Sequence, residues 1–87
     1  MPYIKQEDRN LYDYQIEMIN TQLHSEDWPP GAVNYVITSI IADWFREQRS
    51  YKTICNIMGT LKCVASEFYR RKAVPYEEEK IKENGDV

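Results

Sequence analysis

Apolar residues fall along this chain in stripes spaced one helical turn apart. Tyr12, Ile16, Ile19 and Leu23 recur at i, i+4, i+7 and i+11, the spacing that lines one face of an α-helix. Asn10 suits an N-cap position, so the pattern predicts a helix over residues 10–24. His24-Ser25-Glu26-Asp27 closes that helix, and Trp28-Pro29-Pro30-Gly31 reads as a loop. His24 is read as a helix-end residue and Trp28 as a loop anchor packed on the core.

A second stripe follows. Val33, Val36, Ile37, Ile40, Ile41, Trp44 and Phe45 cover about half the circumference of a helix over residues 32–48. From Gly31 through Ala42 there is no charge. A one-sided surface helix carries some charge, so this helix is expected to be buried on more than one side. Asn34 lies near its apolar arc and would need hydrogen-bond partners if buried; it is a candidate for orienting a ligand.

Ser50 is a good N-cap for a third helix, residues 51–73. Its front carries Ile54, Ile57, Met58, Leu61, Val64, Ala65 and Phe68. Its back carries Cys55, Gly59, Cys63 and Ser66 at i, i+4, i+8 and i+11. Glycine inside a helix costs about 1 kcal/mol relative to alanine, so Gly59 needs a reason, and close approach of another backbone supplies one. Helix three then either sits at the centre of the fold or turns its back to another subunit. Three helices can hardly cover it all round, which favours the subunit and makes Cys55, Gly59, Cys63 and Ser66 the candidate oligomer interface.

The stretch Glu67–Lys80 reads EFYRRKAVPYEEEK. Pro75 lacks an N–H and its ring crowds the carbonyl of Arg71, while Val74 is pushed out of the helical region by the proline after it. The third helix should therefore stop near Ala73, and a short polar helix should start afresh over residues 75–83. Cations at the end of one helix and carboxylates at the start of the next suit the two dipoles, which explains the inversion of charge without a site. At 100° per residue Arg70, Arg71 and Lys72 fan apart. Arg71 is placed to pair with Glu67. Arg70 is left over the uncharged back face, with Tyr69 and Tyr76 beside it, as the candidate binder of a phosphate or carboxylate. A carboxylate of the 77–79 run is its competing partner. Asn84-Gly85-Asp86 is a turn signal.

The fold class is thus all-α, a compact bundle of three main helices and a short C-terminal one. The termini, with PYIKQ as a brief edge strand, allow a minor two-stranded element. Eighty-seven residues make one small domain, which a partner subunit would help to stabilise. The net charge of −3 argues against non-specific nucleic-acid binding. No apolar run is long enough to span a membrane, and the N-terminus lacks the apolar core of a signal peptide, so a cytoplasmic location is expected. The single histidine, His24, leaves no metal-ligand cluster, and it is not near Cys55 or Cys63 in sequence, so a Cys–His pair is open but unsupported. Asp43 and Glu47 form an i, i+4 pair, yet helices one and three add only Glu17 and Glu67, too few carboxylates for a magnesium-dependent hydrolase. No catalytic residue, metal or cofactor is expected. The seven tyrosines and two tryptophans instead suggest contact with a ligand or a second subunit.

MPYIKQEDR at the start, NYVIT at 34–38, EFYRR at 67–71, and PYE with ENGDV at the end resemble a small family of uncharacterised proteins of bacteriophages and bacteria, a domain of unknown function. The resemblance covers nearly the whole chain. It implies a phage-type accessory protein in the host cytoplasm and carries over no site residue. Two functions are then expected, neither enzymatic. One is an oligomeric binder that sequesters a small anionic or nucleotide ligand at a subunit interface, as a counter-defence sponge. The other is a protein-interaction module that inhibits or redirects a host protein.

Overall fold

The computed structural model describes residues 4–87. The described chain is helical nearly throughout and falls into two units, one reaching to Glu47 and the other running from Gln48 to Val87.

In the first unit a 3-10 turn, Gln6–Asp8, leads into α1, Asn10–Ser25. The turn is closed by Asp8 N–H donating to the Lys5 carbonyl at 3.0 Å. Arg9 takes the position at which Asn10 was expected to cap. It is itself helical, and its carbonyl accepts from Tyr12 at 2.9 Å and Asp13 at 3.0 Å. Asn10 is simply the first helical residue, because the preceding turn already supplies helical backbone. Among the described residues no strand forms. Gln6-Glu7-Asp8 is helical, and Gly85–Val87 has no regular partner; residues 1–3 of the expected two-stranded element lie outside the description.

α1 ends where Asp27 and Trp28 both adopt left-handed backbone, with φ of 60° and 54°. The Trp28 N–H reaches back to the Leu23 carbonyl at 2.9 Å and the Asp27 N–H to His24 at 3.0 Å, which satisfies carbonyls the helix would leave open. Left-handed backbone is unfavourable for L-residues with a side chain. At Trp28 the following Pro29 disfavours the right-handed alternative. The indole is 46% exposed, so it does not anchor the loop in a core.

α2 spans Pro30–Glu47, with Pro30 at the first helical position, where its missing N–H is harmless. The expectation that α2 is buried on more than one side is corrected: no residue of α2 is buried, and Ile40 is 63% exposed. Its charge-free run is real, but α1 does not pack along it.

In the second unit α3, Tyr51–Phe68, starts as expected. Ser50 is extended and its hydroxyl accepts the Thr53 N–H at 3.1 Å, an N-cap with its side-chain bond made. Thr53 and Ile57 are buried. The predicted stop before Pro75 does not occur. Instead residues Tyr69–Ala73 form a π turn and the helix continues as α4, Val74–Asn84. Val74 is fully helical at φ −61° and ψ −49°. The Val74 N–H donates to Tyr69, five residues back. A π turn holds one extra residue and is wider than an α turn, which relieves the clash between the Pro75 ring and the Arg71 carbonyl. Gly85, with φ 84°, ends α4 and donates its N–H to Ile81 at 2.8 Å.

Candidate functional site

The π turn gathers most of the chemistry the sequence singles out. A helix presents residues three and four apart on one face. Glu67 accordingly accepts from Arg70 Nη2 at 2.7 Å and lies 3.6 Å from Arg71 Nε. The expected Arg71–Glu67 pair is present, and Arg70 shares the same carboxylate rather than one from the 77–79 run. The two arginine side chains remain more than half exposed, so the pairs are screened by water.

Tyr69 and Tyr76 flank these arginines in sequence, and both are exposed. The Glu77 carboxylate beside Tyr69 holds the phenol proton by hydrogen bonding and by its charge, so the Tyr69 pKa is raised above its ordinary value. The separation of this pair, i to i+8, is instructive. In an uninterrupted α-helix residue i+8 is turned about 80° away from residue i. One extra residue in the turn takes up most of that angle and brings Glu77 into line with Tyr69. Lys80 stands over the Tyr76 ring at 5.4 Å from its centroid, a cation–π contact, and pairs with Glu83 at 3.0 Å.

Asn34 belongs to the first unit. It is exposed, and its Oδ1 accepts from the Thr38 hydroxyl at 3.2 Å, one turn along α2. Asp43, the carboxylate weighed for a hydrolase, is paired with Arg46 on the same helix.

The proposed interface residues Cys55, Gly59, Cys63 and Ser66 are all exposed, and both cysteines are free thiols. A Cβ added to Gly59 would meet nothing within 4 Å. No close backbone approach in this chain therefore accounts for the glycine. Among the described residues no group of histidine, cysteine or carboxylate side chains could hold a metal. No helix there is long and apolar enough to cross a membrane.

Sequence reasoning missed two features. One is the π turn with its Tyr69–Glu77 link; the signal was a proline followed by good helix formers with no glycine or turn residue before it. The other is a depression of about 320 Å³ on α1, lined by Tyr14, Glu17, Met18, Thr21 and Gln22. Those five residues share one helix, so the hollow has no opposing wall among them.

No curated protein and no solved structure matches the chain. The model of one family, the domain of unknown function DUF6899, matches residues 1–87.

Proposed function

Since the chain belongs to the DUF6899 family over residues 1–87, we propose that it is a non-enzymatic binding protein that completes its helical bundle by self-association. The observation that carries this reading is unfilled apolar surface. Among the described residues Leu23 and Ile57 are the only buried apolar side chains, while Val64 is 61% and Phe68 55% exposed. In the first unit Ile16 is 53% and Ile40 63% exposed, so neither unit covers its own apolar stripes. A compact bundle is then a property of the assembly, and a phage-type accessory role in the host cytoplasm is consistent with such a protein.

Light scattering on the purified chain tests the reading. A dimer or larger particle at micromolar concentration is expected, with 1-anilinonaphthalene-8-sulfonate binding weakly because the stripes are covered. A strictly monomeric protein would sink it. If the monomer captures a host protein instead, the interaction-module reading takes its place.

A second reading starts from Tyr69 and Arg70, exposed neighbours in the π turn, with Tyr76 on a different side of the helix. It assigns these residues to an anionic or nucleotide ligand, as a counter-defence sponge. The ligand must compete with Glu67 for Arg70, which weakens the reading. A thermal-shift panel of cyclic and linear nucleotides decides it, because a ligand that binds only the folded state raises its stability. A hit abolished by Arg70→Ala supports it, and a silent panel removes it.

A further inference from the structure

α1 and α2 carry matching apolar stripes on either side of a short junction. Counted outward from Trp28, Leu23 answers Val33, Ile19 answers Ile37, Ile16 answers Ile40 and Tyr12 answers Trp44. The steps alternate four and three, as along the seam between two supercoiled helices. The next pair outward is Arg9 and Glu47, of opposite charge. Yet α1 does not pack along α2. Exposure rises away from the junction. Leu23 is buried, whereas Ile19 is 43% and Ile16 53% exposed, and on α2 Ile37 is 45% and Ile40 63% exposed. We propose that two copies exchange these helices, α1 of each lying antiparallel on α2 of the other, about a two-fold axis at the level of Trp28. The proposal rests on the self-association argued above and names its faces and register.

Three observations favour this arrangement. The first is the junction. Asp27 and Trp28 are both left-handed, and their N–H groups are bonded to the carbonyls of His24 and Leu23. To lay α1 on α2 of the same chain, these angles would have to change. Pro29 fixes its own φ and disfavours right-handed backbone at Trp28. A second copy covers both stripes with the junction as it stands, and short hinges under strain invite such an exchange. The second is charge. A slip of one heptad either way sets Ile16 against Glu47 or Ile40 against Arg9, which buries a charge without a partner. The register centred on Trp28 sets Arg9 against Glu47 instead. Asp13 and Asp43 also come level, but on opposite flanks of the seam, and Asp43 is paired with Arg46. The third is cover. Pairing α1 with α1 leaves the α2 stripe open, whereas the exchange covers both and brings the two half-exposed Trp28 indoles to one level.

The test uses the full chain, with every variant checked for helicity by circular dichroism. Light scattering over a dilution series should show Arg9→Glu and Glu47→Arg each weakening the dimer about tenfold, since each sets like charges at both ends of the pairing. An equal mixture of the two variants should regain the wild-type affinity, because the chains then match each other at both ends. A mixture as weak as its parts overturns the exchange. So does a loss confined to Arg9→Glu, which would place α1 on α1 with Arg9 beside Glu26. A second measurement combines Ile16→Cys and Ile40→Cys in a chain that also carries Cys55→Ser and Cys63→Ser. Diamide oxidises two thiols to a disulfide and is itself reduced to the hydrazine. It should join Ile16→Cys of one chain to Ile40→Cys of the other, as read by peptide mapping. A disulfide within one chain, or none, overturns the exchange. A dimer that fails these tests leaves self-association standing, and a monomer by light scattering overturns both.

Discussion

Two prolines in this chain meet a helix end and have opposite effects. At Pro29 the helix has already stopped. Asp27 and Trp28 turn left-handed, and α2 starts again at Pro30. At Pro75 the helix runs on, because Tyr69–Ala73 opens into a π turn that absorbs the ring. What precedes the proline decides the outcome. Ser25 and Asp27 are poor helix formers whose side chains compete for backbone bonds in turns. Arg70-Arg71-Lys72-Ala73 are strong helix formers, and Glu67 ties Arg70 and Arg71 to the preceding turn. A proline breaks a helix where the helix is already weak, and widens it where it is strong.

Removing the second proline gives the largest expected effect. Pro75→Ala restores a donor and removes the clash, so the 51–84 helix should gain about 1–3 kcal/mol, read as a raised midpoint in thermal or urea unfolding. The π turn should close and α4 should rotate by about 100° relative to α3. If nuclear magnetic resonance still shows the π turn in Pro75→Ala, the proline is not its cause.

Helix starts offer a second contrast. Ser50→Ala removes the bond to the Thr53 N–H and should cost about 1 kcal/mol. Asn10→Ala removes no cap bond and should leave the unfolding midpoint unchanged. Equal losses at both positions would mean that α1 is capped by Asn10 after all. At the first junction Asp27→Gly relieves left-handed backbone and should gain roughly 0.5 kcal/mol; a loss there would show that the Asp27 side chain is needed in the turn.

The smallest effect is electrostatic. Glu77 raises the Tyr69 pKa, so the folded state holds this proton more tightly than the unfolded one. Its contribution to stability is complete below the ordinary phenol pKa of about 10, and it is lost as pH rises through the higher folded value. Glu77→Gln should bring the Tyr69 titration, followed by carbon-13 shifts of its ring, back toward the ordinary value. Pro75→Ala should do the same by turning Glu77 away. An unchanged titration in Glu77→Gln would remove the link between the two residues.

The helices were legible in the sequence, because apolar spacing and the Ser50 cap are local signals. α1 and α3 begin at the expected residues, and α2 begins two residues early at Pro30. Burial was not legible. The charge-free run from Gly31 to Ala42 identifies a helix that wants cover, but not which molecule provides it, and in this chain Ile37 and Ile40 remain exposed. The junction at Pro75 was misread for a related reason. A proline rule written for an α turn does not foresee that the backbone can admit one more residue. Of the candidate site, the Arg71–Glu67 pair follows from i, i+4 spacing. The Tyr69–Glu77 link does not, since it exists only after the turn has widened.

The π turn also bears on how this chain can change length. A helix ordinarily tolerates no single deletion, because every side chain beyond it swings to a new face. Tyr69–Ala73 already carries one residue in excess of an α turn. Losing one there, with Pro75 replaced to restore the missing donor, would close the turn and leave the faces of α4 where they stand. The same loss between Cys55 and Cys63 in α3 would turn these two residues out of line with each other. For a lineage that gains and loses codons, this turn is the slack in an otherwise rigid rod.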